Sequence, residues 1–271
     1  MKKLNVYSLA TLALVFTLFS CTKEKSEPSL TSSDEYYIES SENDIETDEM
    51  FDEVFDETDD AMQNNSLKSS DAAESGRNIS TITNDDGSKT IIITYTNWTH
   101  PKGYSNRIKN GKIIINQNGN RADSNFVREI SFENFSINGN AISGTQVIER
   151  TAENQYKTTL QNCRIDFEDS TYCTRNGERY RYRVHGETTP RFIWDDEFEI
   201  TGNYTGINRD GDEYTHETVT PLLKKMNWRT IVSGKIKLVI GDDVVTIDFG
   251  NGELDHIAVV EYNGVTHVIR L

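Results

Sequence analysis

From residue 77 onward, apolar and polar positions alternate with a period of two, and turn-forming pairs repeatedly interrupt the alternation. Successive side chains of a strand point to opposite faces, so this period marks half-buried strands. The pattern predicts strands over 89–96, 112–117, 126–137, 141–151, 156–167, 178–184, 191–204, 213–219, 228–240, 244–249, 255–262 and 266–271. Asn-Gly pairs begin at 110, 118, 138, 176, 251 and 263, and Asp-Gly pairs at 86 and 210. Such pairs tolerate the positive φ angles of two-residue hairpin turns. About twelve strands with no helical period between them predict an all-β antiparallel meander, because parallel strands would need crossover helices. Ile130 and Phe132 share a parity that Phe135 and Ile137 do not, which predicts a bulge near Glu133-Asn134 and a curved sheet. A sheet of this length must curl or close, as a sandwich or as an open, barrel-like meander.

Upstream, the pattern changes. Phe51, Val54, Phe55, Thr58 and Met62 recur at the spacing of one helix face behind a Ser41-x-x-Asp44 capping box, which predicts a short acidic helix over 43–62. That helix either docks on its own domain, forms transiently, or serves a partner. The rest of 21–76 is rich in Ser, Asp, Glu and Asn and is expected to be a flexible tether, long enough to hold a domain about 40 Å from its anchor. Residues 22–76 carry 18 acidic side chains against Lys23, Lys25 and Lys68, so nearly all of the net charge of −16 resides there. With no basic field on the chain, nucleic acid is excluded as a partner.

Lys2 and Lys3 precede an apolar run over 9–19 that is too short to span a bilayer, so 1–20 reads as a secretory signal peptide. Its end, Leu18-Phe19-Ser20-Cys21, resembles the lipobox of bacterial lipoproteins. That resemblance implies acylation at Cys21, palmitate-type chains and a membrane partner through this anchor. Thr22 then implies outer-membrane retention, and Lys23-Glu24-Lys25 is similar to the export signals of Bacteroidetes surface lipoproteins. The domain 77–271 would be surface-exposed or periplasm-facing. Export also permits a disulfide between Cys163 and Cys173 across one hairpin, contributing about 2–3 kcal/mol; two buried thiols or metal ligands are the alternatives.

Candidate chemistry is sparse. HExxH, GxSxG, P-loop and GxGxxG patterns are absent, and neither a cofactor nor a metal site is expected. Asp255-His256 are adjacent and point to opposite faces of a strand. Asn208–Asp212 reads as a hairpin turn. Arg179, Arg181 and Arg183 alternate with Tyr180 and Tyr182, so arginines occupy one face and tyrosines the other. Either the arginines form a ladder with carboxylates at 195, 197 and 199, or Arg179, Tyr180, Arg181, Tyr182 and Arg183 together provide a candidate ligand surface for an anionic glycan or lipid head group. Ser170 lies in an Asp-Ser-Thr triplet that fits a short O-glycosylation acceptor pattern.

The segments 220–235, 248–255, 107–115 and 200–206 resemble uncharacterised β-rich lipoproteins of Flavobacteria and other Bacteroidetes. Such relatives often carry cysteines where Asn227 and Leu254 stand here. The resemblance implies an outer-membrane lipoprotein and no particular activity. The expected role is non-catalytic, binding a glycan or an envelope protein or serving the envelope structurally. A glycan-active hydrolase and a periplasmic carrier of lipid or lipoprotein are the alternatives.

Overall fold

The computed structural model describes residues 30–65, 76–100, 106–119, 123–189 and 193–271. One helix, α1 (Ser32–Asn65), precedes thirteen strands: β1 (Arg77–Thr83), β2 (Lys89–Trp98), β3 (Lys109–Asn118), β4 (Val127–Ile137), β5 (Asn140–Ala152), β6 (Gln155–Asp166) and β7 (Tyr172–His185) form the first half. The second half comprises β8 (Glu197–Ile207), β9 (Glu213–Lys225), β10 (Thr230–Ile240), β11 (Asp243–Asn251), β12 (Ile257–Tyr262) and β13 (Val265–Arg270). Every strand pairs antiparallel with its neighbours in sequence, and β1 and β13 are the two edges of one open, curved sheet. The all-β meander is therefore as expected, in its open rather than its sandwich form. β1 is a thirteenth strand that the alternation does not announce, because most of its side chains are exposed on both faces.

The turn pairs divide into two uses. Asn138-Gly139 and Asn263-Gly264 make hairpin turns with positive φ at both residues. Asn110-Gly111 and Asn176-Gly177, also expected as turns, instead lie inside β3 and β7 beside register shifts. Gly111 has φ +85°, and a Cβ there would sit 2.0 Å from the Asn134 carbonyl oxygen, so only glycine lets the strands approach this closely. Asn134 has φ +50°, which locates the expected bulge at Glu133-Asn134. Asparagine side chains stitch these irregularities: Asn97 N–H donates to Asn110 Oδ1 at 2.7 Å, and Asn162 N–H to Asn176 Oδ1 at 2.7 Å. Each bulge bends its strand and adds twist, and together they roll the sheet into a trough.

The trough is filled by α1. Thr31 and Asp34 cap the helix reciprocally: Thr31 N–H and Oγ1 donate to Asp34 Oδ2 at 2.8 and 2.6 Å, and Asp34 N–H donates back at 3.2 Å. The helix thus starts eleven residues before the expected boundary at 43. Ser41, the expected cap, is buried mid-helix with its hydroxyl donating to the Tyr37 carbonyl at 2.7 Å. The N-terminal half, through Tyr37 and Ile45, packs on Ile200, Leu238, Val245, Ile247 and Val260. The C-terminal half, through Met50, Phe51, Val54 and Phe55, packs on Ile93, Ile113, Ile130, Ile137 and Ile148. Burying an aliphatic or aromatic side chain of this kind contributes about 1.5–3 kcal/mol. Residues 32–65 are therefore part of the folded domain rather than of a flexible tether.

Candidate functional site: a cationic trough closed by an acidic helix

The helix carries fourteen acidic residues and no basic one. Asp44, Asp48, Asp52 and Asp56 recur every four residues, and like charges at that spacing repel within an isolated helix. Their counter-charges come from β7, which runs alongside. Arg175 contacts Asp44 and, at 2.5 Å, Asp48; Arg179 contacts Asp48 at 2.9 Å and Asp52 at 2.5 Å; Arg181 contacts Asp52 at 2.7 Å and Asp56 at 3.0 Å. The match is dimensional: twelve helical residues rise about 18 Å, and six strand residues about 20 Å. Lys224 of β9 adds bonds to Asp52 at 2.9 Å and Asp56 at 2.8 Å, and His216 Nδ1 lies 2.8 Å from Asp44.

A second acidic stripe faces the first strands. Lys109 Nζ reaches Glu53 at 2.7 Å and Glu57 at 2.5 Å, while Arg77 reaches Glu57 at 3.3 Å and Asp60 at 2.9 Å. Tyr95 Oη donates to Glu57 at 2.7 Å. Arg128 meets Asp59 at 3.2 Å, and Arg107 spans Glu49 and Glu53. Aromatic rings insulate these pairs. The Arg181 guanidinium lies 3.8 Å from the centre of the Phe55 ring, a cation–π contact that strengthens as water is excluded.

Burial alone would raise the carboxyl pKa values, yet nearby charges overcome it. Arg179, Arg181 and Lys224 hold Asp52 well below the usual carboxylate range against strong desolvation. Arg175 and His216 do the same for Asp44, and Lys109 and Arg77 for Glu57. Glu49 is the exception: desolvation raises it despite Arg107.

Several sequence expectations are corrected. Arg179, Arg181 and Arg183 do not form a ligand surface. They face the trough and are at most 8% exposed. Nor do they ladder with the carboxylates of the next strand, because the register sets Arg181 opposite Ile200 and Arg183 opposite Phe198. Their partners are helical acids and, for Arg183, Asp196 at 3.6 Å. Tyr180 and Tyr182 do lie on the outer face, 36% and 45% exposed.

The Cys163–Cys173 disulfide is absent; both are free, buried thiols. Cys173 pairs with Ile165 and Cys163 with Arg175, so the two sit diagonally, offset by two residues. Diagonal neighbours on one face lie roughly 7–8 Å apart, whereas a disulfide needs Cβ atoms about 3.5–4.5 Å apart. Burial pushes the Cys163 thiol up to about 11. Cys173 is covered by the helix, its Sγ 3.4 Å from Thr47 Oγ1.

Ser170 sits at the exposed β6–β7 turn with φ +73°. Asn208–Asp212 is a turn, as expected, with Asn208 Oδ1 accepting from Asp210 and Asp212 N–H. Among the described residues no group of three or more His, Cys, Asp or Glu is arranged to hold a metal ion. Cys21, the signal segment 1–20 and residues 21–29 and 66–75 of the expected tether lie outside the described residues.

Between helix and sheet, Phe51, Phe55, Gln146, Thr158, Leu160 and Tyr204 surround a cavity of about 10 Å³. It has room for one water molecule at most. Comparison with protein-family models, with curated proteins and with solved structures returned no match.

Proposed function

We propose that this chain is a lipid-anchored outer-membrane protein of the cell envelope with a non-catalytic binding role, presenting the outer face of its sheet to a polysaccharide. The observation that carries this reading is the occupancy of the trough. A carrier of lipid or lipoprotein needs an apolar concave face open to its cargo, and here α1 fills that face and its charges are neutralised pairwise. The outer face is left to meet a ligand. On it stand Tyr180 and Tyr182, flanked across the sheet by Lys157, Thr201 and Glu199. Exposed aromatic faces beside hydrogen-bonding groups suit the alternating apolar and hydroxylated surfaces of sugars. The anchor reading rests on Cys21, eleven residues before the helix begins, and on the resemblance to Bacteroidetes lipoproteins.

Two tests follow. Cells fed an alkyne-tagged palmitate are expected to label the protein and hold it in the membrane fraction. Cys21→Ser is expected to lose both, and an unlabelled wild-type protein would remove the anchor. In affinity electrophoresis through gels containing envelope polysaccharide, the wild type is expected to be retarded. Tyr180→Ala/Tyr182→Ala should migrate freely at unchanged thermal stability, since both rings are exposed. Equal migration of the two proteins would end the polysaccharide reading and leave a structural one.

A further inference from the structure

We propose that the trough is an exchangeable receptor for an acidic amphipathic helix, and that its second occupant is α1 of another copy of this chain, so that two copies close each other by trading helices. This goes beyond the polysaccharide reading and does not depend on it.

The two halves of the interface need each other. Without the sheet, the repeating carboxylates of α1 repel one another and the isolated helix does not persist. Without the helix, Arg175, Arg179, Arg181, Lys109 and Lys224, all buried, lose their counter-charges among isoleucine and phenylalanine side chains. An α1 from any copy satisfies the same partners at the same positions, so exchange costs no contact. Fourteen carboxylates also keep the segment soluble while it is out of the trough, which a helix apolar all round could not manage.

Access and reach are both available. The strand order runs from β1 to β13 without closing, so the helix is not threaded through a barrel and can leave sideways. Arg77, at the start of β1, bonds Asp60 near the C-terminal end of the helix. Ten residues, 66–75, nevertheless join α1 to Gly76, and ten residues can span up to about 35 Å. A connection of that length can deliver the helix to a neighbouring trough. With identical contacts in both forms, the balance is set by the effective concentration of the two occupants.

The contact between Thr47 Oγ1 and Cys173 Sγ, 3.4 Å apart and buried, supplies the test. Chains spanning 22–271 contain every described residue. A first chain carries Thr47→Cys, Cys163→Ala and Cys173→Ser; a second, differently tagged, carries only Cys163→Ala. The two are unfolded in urea, refolded together and oxidised gently. The thiol introduced at position 47 of the first chain can meet Cys173 of the second only if the helix of one lies in the trough of the other. A disulfide-linked heterodimer is expected in the mixture and in neither chain alone, and excess cysteine-free chain should dilute it in proportion. As a control, a single chain with Thr47→Cys and native Cys173 should close the bridge within itself. Closure of that control without any heterodimer, at the highest soluble concentration, would overturn the exchange. A control that does not close would overturn the seating of the helix and the proposal with it.

Discussion

Asp52→Ala is expected to lower the stability of the folded chain by about 3–5 kcal/mol, the usual cost of removing one partner from a buried ionic network. Asp52 is the node of that network. Its carboxylate meets Arg179 at 2.5 Å, Arg181 at 2.7 Å and Lys224 at 2.9 Å, and it is 6% exposed. Deletion leaves Arg179 with Asp48, and Arg181 and Lys224 with Asp56, so three cations share two acids in a water-poor seam. Against a typical total of about 5–15 kcal/mol, this is enough to bring many domains close to unfolding. Glu42→Ala is the matched control: the side chain is exposed on the same helix, and surface substitutions usually stay within about 0.5 kcal/mol. Urea denaturation followed by circular dichroism measures both. A midpoint shift for Asp52→Ala no larger than that of the control would mean that apolar contacts alone seat the helix.

Acid is expected to release the helix and unfold the sheet cooperatively as pH falls below about 4. Asp44, Asp52 and Glu57 have folded-state pKa values below those of free carboxylates, because Arg175, Arg179, Arg181, Lys224, Lys109 and Arg77 face them. As pH falls, the unfolded chain therefore takes up these protons first, and protonation favours unfolding. The stability contributed by these groups is complete above the ordinary carboxylate range, about 3.9–4.3, and is lost as pH drops toward the folded-state values. Glu49 acts in the opposite sense, since burial raises it, but it opposes three strongly paired groups. Buried pairs are screened weakly by salt, so neutral solutions of high ionic strength should leave the fold intact where acid does not. Helical circular dichroism and tryptophan fluorescence, recorded from neutral pH into strong acid, should fall together. A helix signal that persists at the acid end would show that the ion pairs contribute little.

Much of the fold was legible because strands announce themselves locally. Alternation in 89–96, 126–137 and 244–249 places one face inward whatever the rest of the chain does. The bulge at Glu133-Asn134 could be read from a single change of parity. Asn110-Gly111 and Asn176-Gly177 misled, since a pair that tolerates positive φ serves a bulge as well as a turn, and local chemistry does not distinguish the two.

The seam was half visible. Spacing gave the apolar stripe from Phe51 to Met62 and the alternation of arginine and tyrosine over 179–183. What spacing could not give is that one answers the other across 131 residues of chain, from Asp48 to Arg179. The clue was present in the charge balance: an acidic segment with almost no bases, followed by a strand with three arginines on one side. Composition alone assigns such a segment to solvent, because its charges have no local partner. The cysteines failed for a related reason. Ten residues separate them, but a register offset of two decides whether they meet, and that offset is set by the turn that joins Asp166 to Tyr172.

Local pattern was thus sufficient for the all-β meander, the curvature of its sheet, the acidic amphipathic character of 43–62 and the outward placement of Tyr180 and Tyr182. Each is a property of neighbours within a few residues. The inward turn of the arginines, the extent of the helix from Ser32 to Asn65 and the filling of the trough emerge only when the chain is folded. Those outcomes depend on charges far apart in the chain being brought together where water is excluded. A carboxylate and a guanidinium gain little from each other at a solvated surface and a great deal once both are buried.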